Sequence, residues 1–284
     1  ILLQWKQLPE ASPLNSEADR TKLRVIRAGI DTYQQPVVYM HRDCEVCRSE
    51  GFAALTRVSM RIDHRQLIAT LNVVVSDILP ADAVALSEAA WNAIKPEPGA
   101  MATFHHPEPP RSAGALRAKV FGQRLEESDY LALMQDTVHN RLSDIELAAF
   151  VTACAGERLD HGETTSLTRA MVAVGDTLEW GEGAVLDKHC VGGLPGNRTT
   201  MLVVPIVAAH GLVFPKTSSR AITSPAGTAD TMEVLATVEL PFDRLTEIVR
   251  THKGCLAWGG TANLSPADDV LISVERPLAL DSPG

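Results

Sequence analysis

Two polar loops in the second half of the sequence carry the residue types best suited to bind an oxyanion. The first loop, residues 187–200, contains three glycines together with Lys188. Glycine lets the backbone approach a ligand closely, and the helix predicted to follow offers unpaired N–H groups and a partial positive charge. The lysine adds a full charge. The pattern therefore indicates an anion site, and the alternative is a tight strand-to-helix turn with a surface lysine.

The second loop, residues 216–230, places six hydroxyl side chains around Arg220. Hydroxyl groups donate hydrogen bonds to phosphate oxygens, and a guanidinium group offers a planar fork of donors. For this segment taken alone, the alternative is a solvated loop with Ser/Thr turns and helix caps. The presence of two such loops favours a phosphate site.

The predicted elements around the loops indicate how they come together. The sequence predicts strands at 184–186 and 212–217, each followed by one of the loops, and helices at 199–209 and 228–236. A strand–loop–helix unit that occurs twice in succession is typical of a parallel sheet. Ligands of such sheets lie at the carboxyl ends of the strands, which is where both loops are expected.

The distribution of patterns along the chain predicts an α/β multidomain fold. Residues 1–95 are expected to form a β-rich N-terminal domain, with one helix at 86–94, and the proline-rich residues 96–111 are expected to form a linker. Residues 112–182 predict a small all-helical domain. Residues 183–284 predict a truncated α/β phosphate-binding domain with a parallel or mixed sheet, incomplete at its C-terminus.

The helical segment carries clear helix starts and stops. Ser143-Asp144-Ile145-Glu146 is a capping box, in which the serine hydroxyl bonds a backbone N–H of the first turn and the glutamate reaches back. We expect this helix to end near Gly156. A third helix is expected to stop at Gly175, since glycine readily ends a helix.

Composition and charge argue against several classes of function. The net charge of −9 argues against broad nucleic-acid binding. No apolar run approaches the roughly 18 residues of a membrane span, and the first residues lack the features of a secretory signal. Five cysteines in 284 residues do not form the pattern of a secreted disulfide framework, so we expect a cytoplasmic protein with reduced thiols.

The two loops resemble those of the pyrimidine nucleoside phosphorylase family, which includes thymidine phosphorylase. Asp187-Lys188-His189, followed by Gly192-Gly193, is similar to the phosphate loop of that family. Residues 195–200, 216–230 and 258–269 are more similar to its AMP phosphorylase branch. The resemblance is most specific over the second half of the chain.

The resemblance extends to the rest of the chain and implies a reaction. Residues 142–171 resemble the small helical domain of the family, and residues 1–95 resemble the extra N-terminal domain of its long members. Phosphate and thymidine would give thymine and 2-deoxyribose 1-phosphate. AMP, which would give adenine and ribose 1,5-bisphosphate, is the alternative substrate. Inorganic phosphate is the co-substrate, no metal or redox cofactor is expected, and the family implies a homodimer.

The resemblance also assigns roles to individual residues by their place in the motifs. The implied phosphate-binding residues are Lys188, Thr200, Ser218 and Thr228. The implied nucleotide-binding residues are Gly193, Ser219, Arg220, Ala221, Ile222, Thr223 and Ser224. The implied catalytic residues are Asp281, as proton donor to the leaving base, and His189.

Three features depart from the family pattern. Cys190 stands where members commonly have serine, which is a stronger hydrogen-bond donor. Arg276 lies near the base-binding arginine of the short pyrimidine enzymes but out of register with it. The serine and lysine with which the family contacts the base would follow Gly284, so we expect the chain as given to have little or no activity.

Other functions fit parts of the sequence. A phosphoribosyltransferase would share the fold, but its pyrophosphate substrate usually needs acidic Mg²⁺ ligands, in which the two loops are poor. A chain that binds a nucleotide without catalysis is another alternative. Cys44-x-x-Cys47, with His41 nearby, has a spacing found in zinc and redox sites, but a structural zinc site usually needs four ligands. The simpler interpretation is a turn with two buried thiols.

Overall fold

The computed structural model describes residues 22–32, 35–181, 183–189, 196–220, 226–262 and 264–278, which fold into two compact units. The first unit contains the chain up to Pro109 together with His139–Arg141. The second unit contains Pro110–Val138 and the chain from Leu142 onward. The segments predicted as separate helical and α/β domains therefore lie in one compact unit.

The first unit is a closed barrel of six strands. The strands are β1 (Leu23–Arg27), β2 (Val37–His41), β3 (Arg57–Ile62), β4 (Arg65–Val74), β5 (Ala83–Leu86) and β6 (Met101–His105). Their order around the barrel is β1-β5-β2-β4-β3-β6, in which β1–β5 and β2–β4 are parallel and the other pairs are antiparallel. Helices α1 (Glu45–Ser49) and α2 (Glu88–Ile94) connect strands along the chain.

Strand β5 is buried along its whole length because apolar groups cover both of its faces. Val84 and Leu86 belong to the main barrel core. Ala83 and Ala85 point the other way and pack with Leu79 in a second apolar cluster. Side chains alternate between the faces of a strand, so a short run of apolar residues without polar positions fits this arrangement.

The barrel extends into the segment predicted as a linker, residues 96–111. Strand β6 lies there and pairs with both β3 and β1, which closes the barrel. The helix predicted at 86–94 begins at Glu88, because Leu86 still belongs to β5 and Ser87 is the N-cap. The hydroxyl of Ser87 accepts a hydrogen bond from the N–H of Ala90 at 3.2 Å.

The second unit contains the remaining described helices and strands. In chain order they are α3 (Ala113–Val120), α4 (Glu127–Val138), α5 (Asp144–Cys154), α6 (His161–Ala173), α7 (Asn197–Ala209), β7 (Phe214–Ser218), α8 (Thr228–Glu233), α9 (Phe242–His252), β8 (Gly254–Trp258) and α10 (Pro266–Leu278). A short 3-10 turn, Gly259–Ala262, follows β8. Among the described residues, no helix has both the length and the apolar character needed to cross a membrane.

Helix α10 packs with the helices α3–α6, although it lies far after them in the chain. Ala267, Leu271 and Val274 are spaced so that they share one face of α10, and they join the apolar core around Tyr130 and Leu133. The predicted capping box of α5 is confirmed. The N–H of Ser143 donates to Glu146 Oε2 at 2.7 Å, and the N–H of Glu146 donates to Ser143 Oγ at 3.4 Å.

A parallel strand pair forms the basis of the α/β part. Strands β7 and β8 are in register from Phe214 opposite Gly254 to Ser218 opposite Trp258. The predicted strand at 184–186 is represented by a single parallel bridge between Val185 and Val213. Helix α7 packs against both strands and against α8. The parallel sheet is thus confirmed, while the helix predicted at 228–236 ends earlier, at Glu233.

A buried ion pair links the helices of the second unit. The side chains of Lys119 and Glu163 are 4% and 5% exposed, and Nζ donates to Oε1 at 2.8 Å. The same oxygen accepts from the N–H of Leu125 at 3.0 Å and from the hydroxyl of Tyr130 at 2.9 Å. Burial acts to raise the pKa of Glu163, but these donors, Lys119 first, outweigh it and hold the pKa below its usual value.

Replacing Glu163 by glutamine is expected to destabilise the second unit strongly. The amide leaves the buried Lys119 without its counter-charge, and loss of one partner of a buried pair costs about 3–5 kcal/mol. Urea unfolding followed by circular dichroism measures the change. The control Glu127→Gln removes an exposed partner of Arg169 and should cost under about 1 kcal/mol. Equal losses in the two variants would contradict the role given to the buried pair.

The pH dependence of stability gives the same pair a second test. Because the pKa of Glu163 is lower in the folded than in the unfolded state, its contribution is complete above the unfolded value and is lost as the pH falls through the folded value. Glu163→Gln should therefore lose less stability than the wild type over that acidic range. A parallel loss in both proteins would argue against this linkage.

Candidate functional site

The carboxyl ends of the parallel strands bring the two predicted loops to one edge. Strands β7 and β8 end at Ser218 and Trp258, which are register partners. The N–H of Leu186 donates to the carbonyl of Val213 at 2.8 Å, which places the chain before Asp187 alongside β7. Both loops and the turn after β8 therefore begin at the same edge of the sheet, where ligands bind in such folds.

A buried lysine ties the first loop to β7. Lys216 is 6% exposed, and its Nζ donates to Asp187 Oδ1 at 3.0 Å. The other carboxylate oxygen of Asp187 lies 3.0 Å from His189 Nε2. Burial acts to raise the pKa of Asp187, but the hydrogen bond from Lys216 and the N–H of Lys188 outweigh it and lower the pKa. Asp187 is therefore a charged anchor for the start of the loop.

Two of the candidate phosphate-binding residues meet across the first loop. Lys188 Nζ donates to Thr200 Oγ1 at 3.1 Å. Thr200 is the fourth residue of α7 and is almost fully buried, so its hydroxyl is fixed in the first turn of the helix. The ammonium group is thereby held near a helix N-terminus, which adds a partial positive charge.

Arg220 is bound by carboxylates, although its fork of donors was expected to bind phosphate. Its Nη1 donates to Asp230 Oδ1 at 3.1 Å and to Glu233 Oε2 at 2.7 Å. Its Nη2 donates to Glu233 Oε1 at 2.9 Å and to Glu239 Oε1 at 3.2 Å. Its Cζ lies 4.8 Å from the centroid of the Trp258 ring. Arg220 thus fastens the start of the second loop to α8 and to the end of β8.

Gly260 makes room for this tryptophan. A Cβ atom at position 260 would lie 2.7 Å from Cζ2 of Trp258 and 2.9 Å from Oδ2 of Asp269, closer than such atoms pack. A side chain at position 260 would therefore force the ring of Trp258 or the carboxylate of Asp269 to move. Burial, followed by the charge of Asp268, raises the pKa of Asp269 to about 6.

The other candidate residues lie at several places around the edge. Ser218 ends β7, and its hydroxyl donates to the carbonyl of Ser219 at 3.1 Å. Thr228 is buried at the first position of α8. The side chain of His189 is 86% exposed. The candidates Gly193, Ala221, Ile222, Thr223, Ser224 and Asp281, together with Cys190, lie outside the described residues.

Two domain matches together cover more than half of the chain. The helical bundle domain of the Glycosyl transferase family matches residues 113–175, and the a/b domain of that family matches residues 182–280. This chain belongs to that Glycosyl transferase family. The matches coincide with the helices α3–α6 and with the parallel strands that hold the two loops, so the site lies in the a/b domain of the family.

Curated relatives match almost the whole of this chain. "Putative thymidine phosphorylase" of Polaromonas sp. (strain JS666 / ATCC BAA-500) is 59% identical, over 96% of this chain and 53% of that protein. "Putative thymidine phosphorylase 2" of Acidovorax sp. (strain JS42) is 56% identical, over 94% of this chain and 53% of that protein. The chain spans about half the length of the curated relatives it matches, and the resemblance inferred from its motifs is confirmed.

A solved structure of anthranilate phosphoribosyltransferase from Thermus thermophilus aligns with part of this chain. It matches with a TM-score of 0.49 and 24% identity, over 60% of this chain and 52% of that chain. A likeness of this size carries no argument about the reaction.

Sequence reasoning missed several groups that build the site of this family member. It treated Lys216 only as the start of a loop, although a lysine inside a predicted strand is a signal for a buried charge with a partner. It read Arg220 as an open anion binder because the acidic residues that bind it are 10 to 19 positions away. No pattern in the sequence predicted that the carboxyl group of Asp269 would be partly buried.

Replacing Arg220 by methionine is expected to loosen the second loop and to cost about 1–3 kcal/mol of stability. The change keeps much of the side-chain volume and removes charge-assisted hydrogen bonds to three carboxylates, part of whose strength is screened because 25% of the side chain is in solvent. Chemical denaturation gives the value. Arg244→Met is the control, since that arginine pairs with Glu247 at an exposed position. Similar losses in both variants would argue against an anchoring role for Arg220.

Proposed function

We propose that the intact protein is a nucleoside phosphorylase that converts thymidine and phosphate reversibly to thymine and 2-deoxyribose 1-phosphate. The observation that carries the proposal is the contact between Lys188 and Thr200 in the first turn of α7. Lys188 directly follows Asp187, the partner of the buried Lys216. Ammonium groups beside a helix N-terminus suit a phosphate dianion. The names of the relatives, both putative thymidine phosphorylases, support a nucleoside as the second substrate.

Phosphate would bind between the two loops in this proposal. Lys188 supplies the charge and Thr200 a hydroxyl from the first loop, while Ser218 and Thr228 supply hydroxyl groups from the second. The hydrogen bond from Lys188 to Thr200 already holds the ammonium group in place, so little reorganisation is needed when phosphate arrives. Lys216 acts mainly through Asp187, whose position sets that of Lys188.

Phosphorolysis needs one bond to form and one to break at the anomeric carbon. A phosphate oxygen attacks this carbon while the glycosidic C–N bond breaks, and the electron pair of that bond leaves with the base. The departing base takes up a proton, which we assign to Asp281 from its position in the family motif, with His189 as the second candidate. Gly193 and residues 219–224 would surround the nucleoside. The protein mainly positions the reactants and neutralises charge, without a cofactor.

AMP is the second candidate substrate, because residues 195–200 and 216–230 resemble the AMP phosphorylase branch. AMP would bring a second phosphate group to the site. Arg220, the arginine of the second loop, already binds three carboxylates and so adds little positive charge for that group. This contact favours a nucleoside over a nucleotide.

Steady-state assays of the intact protein with both substrates test the proposed reaction. With phosphate present, kcat/KM for thymidine is expected to exceed that for AMP by at least about tenfold, because the difference corresponds to one unmatched charged contact. Thymine should not form without phosphate. A preference for AMP would select the alternative substrate. Turnover only with a pyrophosphate-activated pentose would contradict phosphorolysis altogether.

Lys188→Ala in the intact protein tests the phosphate site directly. Loss of one charge-assisted contact should raise the KM for phosphate by about ten- to a hundredfold, while the KM for thymidine changes little. Arg250→Ala is the control, since it removes a positive charge from an exposed position on α9. Unchanged phosphate kinetics in Lys188→Ala would remove the basis of the site.

A further inference from the structure

The barrel contains a pair of thiols that the proposed reaction does not use. Cys44 is the N-cap of α1, and its Sγ accepts a hydrogen bond from the N–H of Cys47 at 3.1 Å. Cys47 Sγ lies 3.4 Å from Met40 Sδ, at the end of β2. All three side chains are buried in the barrel core. The Cys-x-x-Cys spacing at a helix start occurs in redox-active pairs of thiols.

We propose that Cys44 and Cys47 form a reversible disulfide when the protein meets a peroxide, with Cys44 as the sulfur that reacts first. Both thiols lie in the same buried cluster, and the backbone N–H of Cys47 points at Cys44 Sγ at 3.1 Å. A thiolate at Cys44 is thereby stabilised before any oxidant arrives. Closing the bond joins residues three positions apart, so the barrel strands need not separate.

The other described cysteines lack this activation. The hydrogen bond from the side chain of Cys47 lowers the pKa of Cys44, and the backbone N–H groups of Cys47 and Val46 act in the same direction against burial. Burial raises the pKa of Cys154 and of Cys255 to about 12. The thiolate is the reactive form of cysteine. Cys154 and Cys255 therefore serve as internal controls for the reactivity of Cys44.

A disulfide also fits the surroundings better than a metal ion does. Among the described residues, no group of three His, Cys, Asp or Glu side chains is arranged to hold a metal. Met40 provides a third sulfur beside the pair, but a thioether carries no charge to balance a cation. A pair of neighbouring thiols is the composition of a dithiol–disulfide couple.

The chemistry is a two-electron oxidation by hydrogen peroxide. The Cys44 thiolate attacks one peroxide oxygen, the O–O bond breaks, and the leaving hydroxide takes up a proton to become water, which leaves a sulfenic acid on Cys44. The Cys47 thiol loses its proton and attacks that sulfur, and the second oxygen leaves as water. One peroxide and two thiols thus give one disulfide and two waters. Hydrogen peroxide is about as small as water, which suits a buried pair reached by local opening of the five-residue helix α1.

Peptide mapping of the reduced intact protein after treatment with hydrogen peroxide tests the proposal. The peptide with both residues is expected to lose two hydrogens, to resist alkylation and to recover when dithiothreitol is added. It should react at least about tenfold faster than Cys154 and Cys255 in the same molecules, because they hold far less thiolate. Because this comparison uses the wild type, it does not depend on the folding of a variant.

Single substitutions show which of the two sulfur atoms reacts with peroxide first. In Cys47→Ser, Cys44 should stop at a sulfenic acid that dimedone traps, whereas in Cys44→Ser, Cys47 should stay reduced. The control Cys154→Ser should keep the disulfide. The proposal is overturned if Cys44 and Cys47 remain free at peroxide doses that oxidise Cys154. Protection of both thiols from peroxide by one equivalent of Zn²⁺ or Cu⁺ in the purified protein would also overturn it, in favour of a metal site.

Discussion

The ion pair between Lys216 and Asp187 is the contact on which the geometry of the candidate site depends. A buried ammonium group requires a counter-charge, and the position of Lys216 inside β7 determines where that counter-charge must be. Asp187 therefore starts the first loop at the edge of the sheet, and Lys188 follows it directly. The contact of Lys188 with Thr200 then closes the loop onto α7. The sheet thus positions the start of the first loop both by the ion pair between Lys216 and Asp187 and by backbone hydrogen bonding.

The two loops use their positive charges differently. Lys188 donates to the neutral hydroxyl of Thr200, whereas Arg220 is surrounded by Asp230, Glu233 and Glu239. In the described part of the second loop, the charge of Arg220 is therefore balanced by its carboxylate neighbours. Gly260 contributes to the same arrangement, because a side chain at position 260 would crowd the ring of Trp258 that lies beside Arg220.

The sequence predicted features that depend on near neighbours and missed those that depend on distant ones. The capping box at Ser143 and the parallel strands follow from short patterns, and the structure contains them. The packing of α10 with the helical bundle did not follow, because its apolar stripe fits several partners equally well. Glu233 and Glu239, two of the carboxylates around Arg220, lie beyond the second loop, and a sequence pattern does not predict which acidic residues fold back onto it. The prolines that flank strand β6 predict a linker, although the residues of the strand pair with two neighbouring strands.

The single carboxylate oxygen at the centre of the helical bundle has a consequence for how this region tolerates change. Glu163 Oε1 accepts hydrogen bonds from Lys119, Leu125 and Tyr130 at once. Substitutions of Glu163, Lys119 and Tyr130 are therefore not independent, since each alters what the others lose, whereas Leu125 donates through its backbone N–H and keeps this bond with most side chains. Once the carboxylate is absent, replacing the lysine by an apolar residue relieves an unpaired charge and becomes favourable. Such a region accepts compensated pairs of substitutions far more readily than single ones, so related sequences are expected to change these positions jointly or to keep them all.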